Sequence, residues 1–188
     1  MKIIAFTGMP FSGKTEAVKI ICKMRINVIR MGDLVWEEVE KRDLELNDKN
    51  VGFIANKMRK LYGSNIWAIK TIEKIKLNYK SNLIVVDGIR NCEEVEIFKK
   101  KLDKDFTLIA IISNDELRYN RGLKRGRKDD CPDINILIKR DEREIRWGIK
   151  KVIESADIIV TNDGAIKDFK KKIIDIIDML LKNDKLIN

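Results

Sequence analysis

The chain has 188 residues, 44% of them hydrophobic and 37% charged, with only two prolines; this balance belongs to folded globular proteins and excludes disordered and fibrous classes. A formal net charge of +9 favours anionic partners such as nucleotides, nucleic acids or acidic membranes, while the absence of histidine removes the commonest general base and the commonest transition-metal ligand. Cys22, Cys92 and Cys131 are odd in number and outside any C-x-x-C pattern, which argues against a disulfide framework or a zinc site. No apolar run approaches the roughly 18 residues of a membrane span, so the expected setting is cytoplasmic, with no membrane.

The first element is the apolar run Lys2–Thr7, a predicted strand, followed after a Gly-rich loop by Ala17, Val18, Ile21 and Met24 at helical spacing. Between them lies Gly8-Met9-Pro10-Phe11-Ser12-Gly13-Lys14-Thr15, which satisfies G-x-x-x-x-G-K-[ST] in the strand and helix context that the pattern requires. Glycines let successive N–H groups turn inward onto phosphate oxygens, and the following helix adds the positive end of its dipole. Lys14 then neutralises the β- and γ-phosphates, and the Thr15 hydroxyl joins the shell of a magnesium ion. Phe11 is a large residue where such loops often carry a small one; it either covers the nucleotide or packs outward.

A second short strand, Ile26–Arg30, ends at Met31-Gly32-Asp33, where Asp33 is placed to cap the next helix. Helical patterns follow over Val51–Leu61 and Ser64–Tyr79. Leu83–Val86 lacks polar alternation, as in a strand buried on both faces of a parallel sheet, and it ends at Asp87, the best candidate for the acid that reaches the metal in P-loop proteins. A helix around Glu93–Lys101, a strand over Thr107–Ile112, a long helix from Ile138 to Glu154, a strand over Asp157–Val160 and a last helix from Ala165 to Leu181 complete the order. Five strands alternating with helices predict an α/β fold: a parallel five-stranded sheet with helices on both faces.

Only Gly122–Pro132 breaks the rhythm and reads as an exposed excursion. Arg118, Arg121 and Arg125 share one helical face, with Arg127 just beyond. Between Arg118 and Arg146 there are ten basic and six acidic residues, which suits either a solvated, salt-bridged pair of helices or an arginine-rich lid closing over a transferring phosphoryl group.

These motifs resemble nucleotide kinases of the adenylate kinase, cytidylate kinase and dephospho-CoA kinase group, and more closely an archaeal family of kinase-like P-loop proteins within it. The resemblance covers nearly the whole chain. It implies a P-loop three-layer fold in a single domain, 1–188, with an acceptor-binding helical insertion at 31–80 and a short lid-like excursion at 118–143. Met31-Gly32-Asp33 resembles the segment that opens the acceptor site, Arg59 falls where an acceptor-phosphate arginine is often placed, and Asp87-Gly88-Ile89-Arg90 is similar to D-G-x-x-R with one residue fewer. Arg127-Lys128-Asp129-Asp130 resembles the R-x-D-D of a lid. Arg140-Asp141-Glu142-Arg143, Trp147-Gly148 and Ala156-Asp157 match the archaeal family, and Thr161-Asn162-Asp163-Gly164 looks like a loop that packs on adenine.

The expected function is transfer of the γ-phosphoryl of Mg-ATP to a small phosphorylated acceptor, a nucleoside monophosphate or similar metabolite. Gly8 to Thr15 and Asn162 are then the nucleotide contacts, and Lys14, Arg121, Arg125 and Arg127 the charges on the moving group. Thr15 and Asp87 fall to Mg²⁺, and Asp33, Arg59 and Arg90 to the acceptor. The alternative is an ATP-dependent binding or regulatory module, with RNA as a candidate partner. Only 6% of residues are aromatic and no stacking motif is apparent, so a nucleic-acid partner is not favoured. A GTPase is disfavoured because Asn56-Lys57-Met58-Arg59 lacks the acid of N-K-x-D.

Overall fold

The computed structural model describes residues 1–79, 81–102, 105–126, 130 and 133–183. Five parallel strands, β1 (Lys2–Thr7), β2 (Asn27–Arg30), β3 (Leu83–Asp87), β4 (Phe106–Ile112) and β5 (Ile158–Thr161), form one sheet in the order β2-β3-β1-β4-β5. The predicted sheet and its two helical layers are present. Alternation along β1 divides the core: Ile3 and Ala5 face a cluster with Ile84, Val86 and Leu108, while Ile4 and Phe6 face Val85, Ile109 and Ile111 on the other side. All four of these β1 residues are fully buried, which is why the strand reads as an unbroken apolar run.

Helices α1 (Lys14–Lys23) and α9 (Ile166–Asn183) cover the second face through Ala17, Ile21, Phe169 and Ile173. The first face carries α2 (Met31–Glu40), α3 (Asp48–Tyr62), α4 (Ile66–Asn78) and α5 (Cys92–Leu102). Helices α6 (Asp115–Lys124), α7 (Ile134–Trp147) and α8 (Ile149–Glu154) connect β4 to β5. Because β3 and β4 flank β1 on opposite sides, the carboxyl end of β1 is the switch point where open α/β sheets bind ligands. Among the described residues, no helix is long and apolar enough to cross a membrane.

Three local readings are corrected. The long helix over Ile138–Glu154 is two helices, because Gly148 takes φ 101° and ψ 16°, and the new direction buries Ile149 and Val152 completely. Asp33 does not cap α2: the helix begins at Met31, Arg30 is the N-cap, and Asp33 lies in the first turn. Gly122 is no part of an exposed loop but is buried inside α6. Gly148→Ala is expected to cost about 1–2 kcal/mol, since a Cβ is strained in the left-handed region even though nothing lies within 4 Å of the added atom. Thermal denaturation of the variant measures this directly.

Candidate functional site

The loop between β1 and α1 is shaped by what surrounds it. Gly8 has φ 140°, and a Cβ there would lie 2.1 Å from the Ile111 carbonyl oxygen; Gly13 has φ 118°, and a Cβ there would meet Asn162 Nδ2 at 2.2 Å. Only glycine satisfies both positions. Two of the loop's carbonyls are held from outside: Asn162 Nδ2 donates to the Ser12 oxygen at 2.9 Å, and Arg118 Nη1 donates to the Pro10 oxygen at 2.9 Å. Among the described residues, the amides of Gly13, Lys14 and Thr15 take no acceptor, and all three residues line a cleft of about 580 Å³. Uncommitted amides at the start of a helix form an anion cradle.

Lys14 is buried in this cradle. Its ammonium donates to the carbonyl oxygens of Gly8 and Met9 at 2.6 and 2.9 Å. Burial first, and then the Arg90 guanidinium, lower its pKa to about 7, against the opposing pull of Asp87 and Glu144. Thr15 and Asp87 line the same cleft, and Asp87 Oδ1 is buried without a hydrogen-bond partner. A hydroxyl and a carboxylate facing a phosphate cradle are hard oxygen donors of the kind that share Mg²⁺ with a nucleotide. Among the described residues, no group of three or more acidic, cysteine or histidine side chains could hold a metal alone; water and phosphate oxygens commonly fill the rest of a Mg²⁺ shell.

The arginines of α6 divide by role. Arg118 is 1% exposed and pairs with Asp141 of α7 through both guanidinium nitrogens, at 3.1 and 2.6 Å. Burial alone would lower its pKa, but the bonds to Asp141 and Asp115 outweigh that and raise it. Arg121 donates to Ser113 Oγ at 3.0 Å and to the Asn162 oxygen at 2.7 Å, so it is held at the cleft wall. Arg125 lies with its guanidinium 4.5 Å from the centre of the Phe11 ring and pairs with Asp130. Phe11 itself adopts φ 63° and is 6% exposed. Its ring rests where a Cβ on Gly122 would intrude at 3.1 Å, so Phe11 both lines the cleft beside the phosphate loop and packs on α6. Arg127 lies outside the described residues.

A second cleft, of about 110 Å³, opens on the other side of Asp87. Asp33, Arg59 and Arg90, the three acceptor candidates, all line it. Glu94, fully buried, fixes two of them: Arg59 Nη2 donates to Oε1 at 2.9 Å, and the Arg90 backbone N–H donates to Oε2 at 2.7 Å. The Arg90 side chain pairs with Glu144 at 2.9 Å, and the Arg59 guanidinium lies 4.2 Å from the Trp147 ring. Arg143 reaches from α7 to Asp48 of α3 through a two-point contact at 2.9 and 2.8 Å. Gly52 leaves room for it, since a Cβ there would be 2.7 Å from Arg143 Nη1.

The two clefts share Asp87, Arg90, Arg140 and Glu144. Asn162, expected on the nucleotide, is buried and meets the phosphate loop from behind through Ser12. Asp163 accepts from the Asn114 backbone N–H at 2.9 Å and so braces the start of α6. Sequence reasoning missed Glu94, Asp48 and Arg30. The first two look like ordinary acids in a first helical turn. Arg30 ends β2 at the carboxyl edge of the sheet, and that position was the available signal.

Comparison with known proteins places this geometry. Residues 7–137 match the family described as AAA domain. The UPF0200 protein of Methanosarcina barkeri is 44% identical over 182 residues, which cover 97% of each chain. The chain belongs to the UPF0200 family. Dephospho-CoA kinase from Campylobacter jejuni superimposes on the UPF0200 chain with a TM-score of 0.61 at 18% identity, covering 98% of this chain and 100% of that one. Shikimate kinase from Bacteroides thetaiotaomicron gives 0.63 at 14% identity, covering 96% and 98%. At such identities the likeness concerns the fold alone, and the UPF0200 chain shares the fold of these kinases.

Proposed function

We propose that the protein is a phosphotransferase that moves the γ-phosphoryl of Mg-ATP to a small phosphorylated acceptor such as a nucleoside monophosphate. The carrying observation is the pair of clefts that meet at Asp87, Arg90, Arg140 and Glu144, with the phosphate loop on one side and an arginine-rich wall on the other. Arg59 and Arg90 hold the acceptor, and the loop amides with Lys14 hold the triphosphate. An acceptor phosphate oxygen attacks the γ-phosphorus, the bond to the β-phosphate oxygen breaks, and ADP leaves with that electron pair. A phosphate dianion is already a nucleophile at pH 7, so the step needs no general base, in keeping with a chain that lacks histidine.

Positioning and charge neutralisation carry the acceleration. Mg²⁺, held by Thr15 and Asp87, would neutralise the β- and γ-phosphates when bound. Arg121 and Arg125 line the nucleotide-side cleft and supply charge over the moving group. A coupled assay of ADP release with Mg-ATP, run across nucleoside monophosphates, dephospho-CoA and phosphorylated metabolites, tests the reading. The expected result is release that depends on one acceptor class; hydrolysis that no acceptor accelerates would overturn it.

A further inference from the structure

Five arginines line the cleft beyond Asp87, and four of them are committed. Arg59 pairs with Glu94 and Arg90 with Glu144; Arg143 pairs with Asp48, and Arg140 lies between Asp48, Asp130 and Glu144. Arg30 is different. It is half-buried at the end of β2, and among the described residues its side chain makes no hydrogen bond or ion pair. Its register partner is Asp87 on the neighbouring strand, so its backbone stands beside the residue where the two clefts join. A guanidinium partly withdrawn from water with no ion-pair contact is costly to the fold alone. That cost is offset when an anion enters, because the planar fork matches two oxygens of a phosphate or carboxylate.

Two further observations point into the same cleft. Arg59 keeps Nε and Nη1 buried without hydrogen-bond partners, so a second fork has unused donors. Helix α2 starts immediately after Arg30 with no side chain capping it, and its first residues, Met31 and Gly32, line the cleft.

We propose that Arg30 is a recognition residue for the anionic group of the acceptor, working with the unused donors of Arg59, and that it selects phosphorylated over neutral acceptors. This rests on the phosphotransferase reading for the identity of the ligand, but not for the presence of an anion site. Because the contact is made in the ground state and the transition state alike, its loss raises KM and leaves kcat nearly unchanged.

Two experiments separate the possibilities. In a Lys14→Ala background, which disables the phosphate loop, inorganic phosphate is titrated against the fluorescence of Trp36, Trp67 and Trp147, all of which line the cleft. Saturable phosphate binding that Arg30→Gln weakens by about tenfold or more is expected. With Lys14 intact, Arg30→Gln should raise the acceptor KM by a similar factor, with kcat within about threefold and ATP affinity unchanged. Should Arg30→Gln not fold, Arg30→Lys decides, because it keeps the charge and loses the fork; a several-fold rise in KM supports the proposal and an unchanged KM overturns it. If no acceptor is phosphorylated by the unaltered protein while phosphate still titrates through Arg30, the transfer reading fails and the anion site stands. No phosphate binding in the Lys14→Ala background, or binding and KM both unmoved by Arg30→Gln, sinks the proposal.

Discussion

Lys14→Met is expected to make the nucleotide-free protein more stable at pH 6–7 and at the same time to abolish its response to ATP. On folding, burial and the nearby Arg90 lower the Lys14 pKa from 10.5 to about 7. Between pH 7 and 10.5 the unfolded chain therefore holds a proton that the folded chain has released, so this group makes stability rise with pH across that window. Below pH 7 the full penalty is present, on the order of 5 kcal/mol, at 1.36 kcal/mol per unit. The hydrogen bonds to Gly8 and Met9 are lost with the ammonium and offset about 1–2 kcal/mol of the gain. The advantage of Lys14→Met should fade as pH rises toward 10.

A bound polyphosphate reverses the balance at Lys14, because a multiply charged anion favours the ammonium. ATP binding at pH 8 should take up close to one proton, and at pH 6 almost none. Calorimetry in buffers of different ionisation enthalpy reads that number. In the substituted protein the rate of the proposed phosphoryl transfer should fall by about 10²–10³-fold or more, the scale for removing one preorganised charge or donor at a transition state. Equal pH slopes in the two proteins, or ATP binding at pH 8 without proton uptake, would show that Lys14 carries its charge in the empty site.

What could be read in the sequence is what local physics dictates. Gly8, Gly13, Lys14 and Thr15 fall at one fixed spacing within eight residues, which made the loop legible even though the groups that crowd its glycines, Ile111 and Asn162, are distant in the chain, and the apolar runs of β1, β3 and β4 follow from burial on both sheet faces. The strand order could not be read, because the runs carry no mark of which neighbours pair. Gly122 reads as a loop residue because a helical glycine costs about 1 kcal/mol against alanine; its reasons are Leu137 on α7 and the Phe11 ring of the phosphate loop, both outside its own helix. Gly148 sits inside an apolar periodicity that continues past it, and only the turn of α8 toward the sheet reveals the break. The ion pairs that shape the clefts are equally non-local: 35 residues separate Arg59 from Glu94, and 95 separate Asp48 from Arg143.

Arg118 carries the other large effect. It ties the Pro10 carbonyl, 108 residues away, to Asp141 on α7, and Asp141 also accepts from Tyr119 at 3.0 Å. Arg118→Ala leaves a buried carboxylate unpaired and should destabilise the fold by about 3–5 kcal/mol. The outward Asp115 is 76% exposed and contributes little to that figure. The double variant Arg118→Met with Asp141→Leu removes both charges at similar volume, so chemical denaturation should recover most of the lost stability. It does not restore the donor to Pro10. Phe11 holds a left-handed backbone in the same stretch of loop, at a cost of about 1–2 kcal/mol, so a loop released from Arg118 has reason to relax away from its cradle shape. The stable double variant should therefore bind ATP at least tenfold more weakly than the unaltered protein. If its ATP affinity is undiminished, Phe11 packing and the Asn162 bond to Ser12 suffice to shape the loop, and Arg118 serves stability alone.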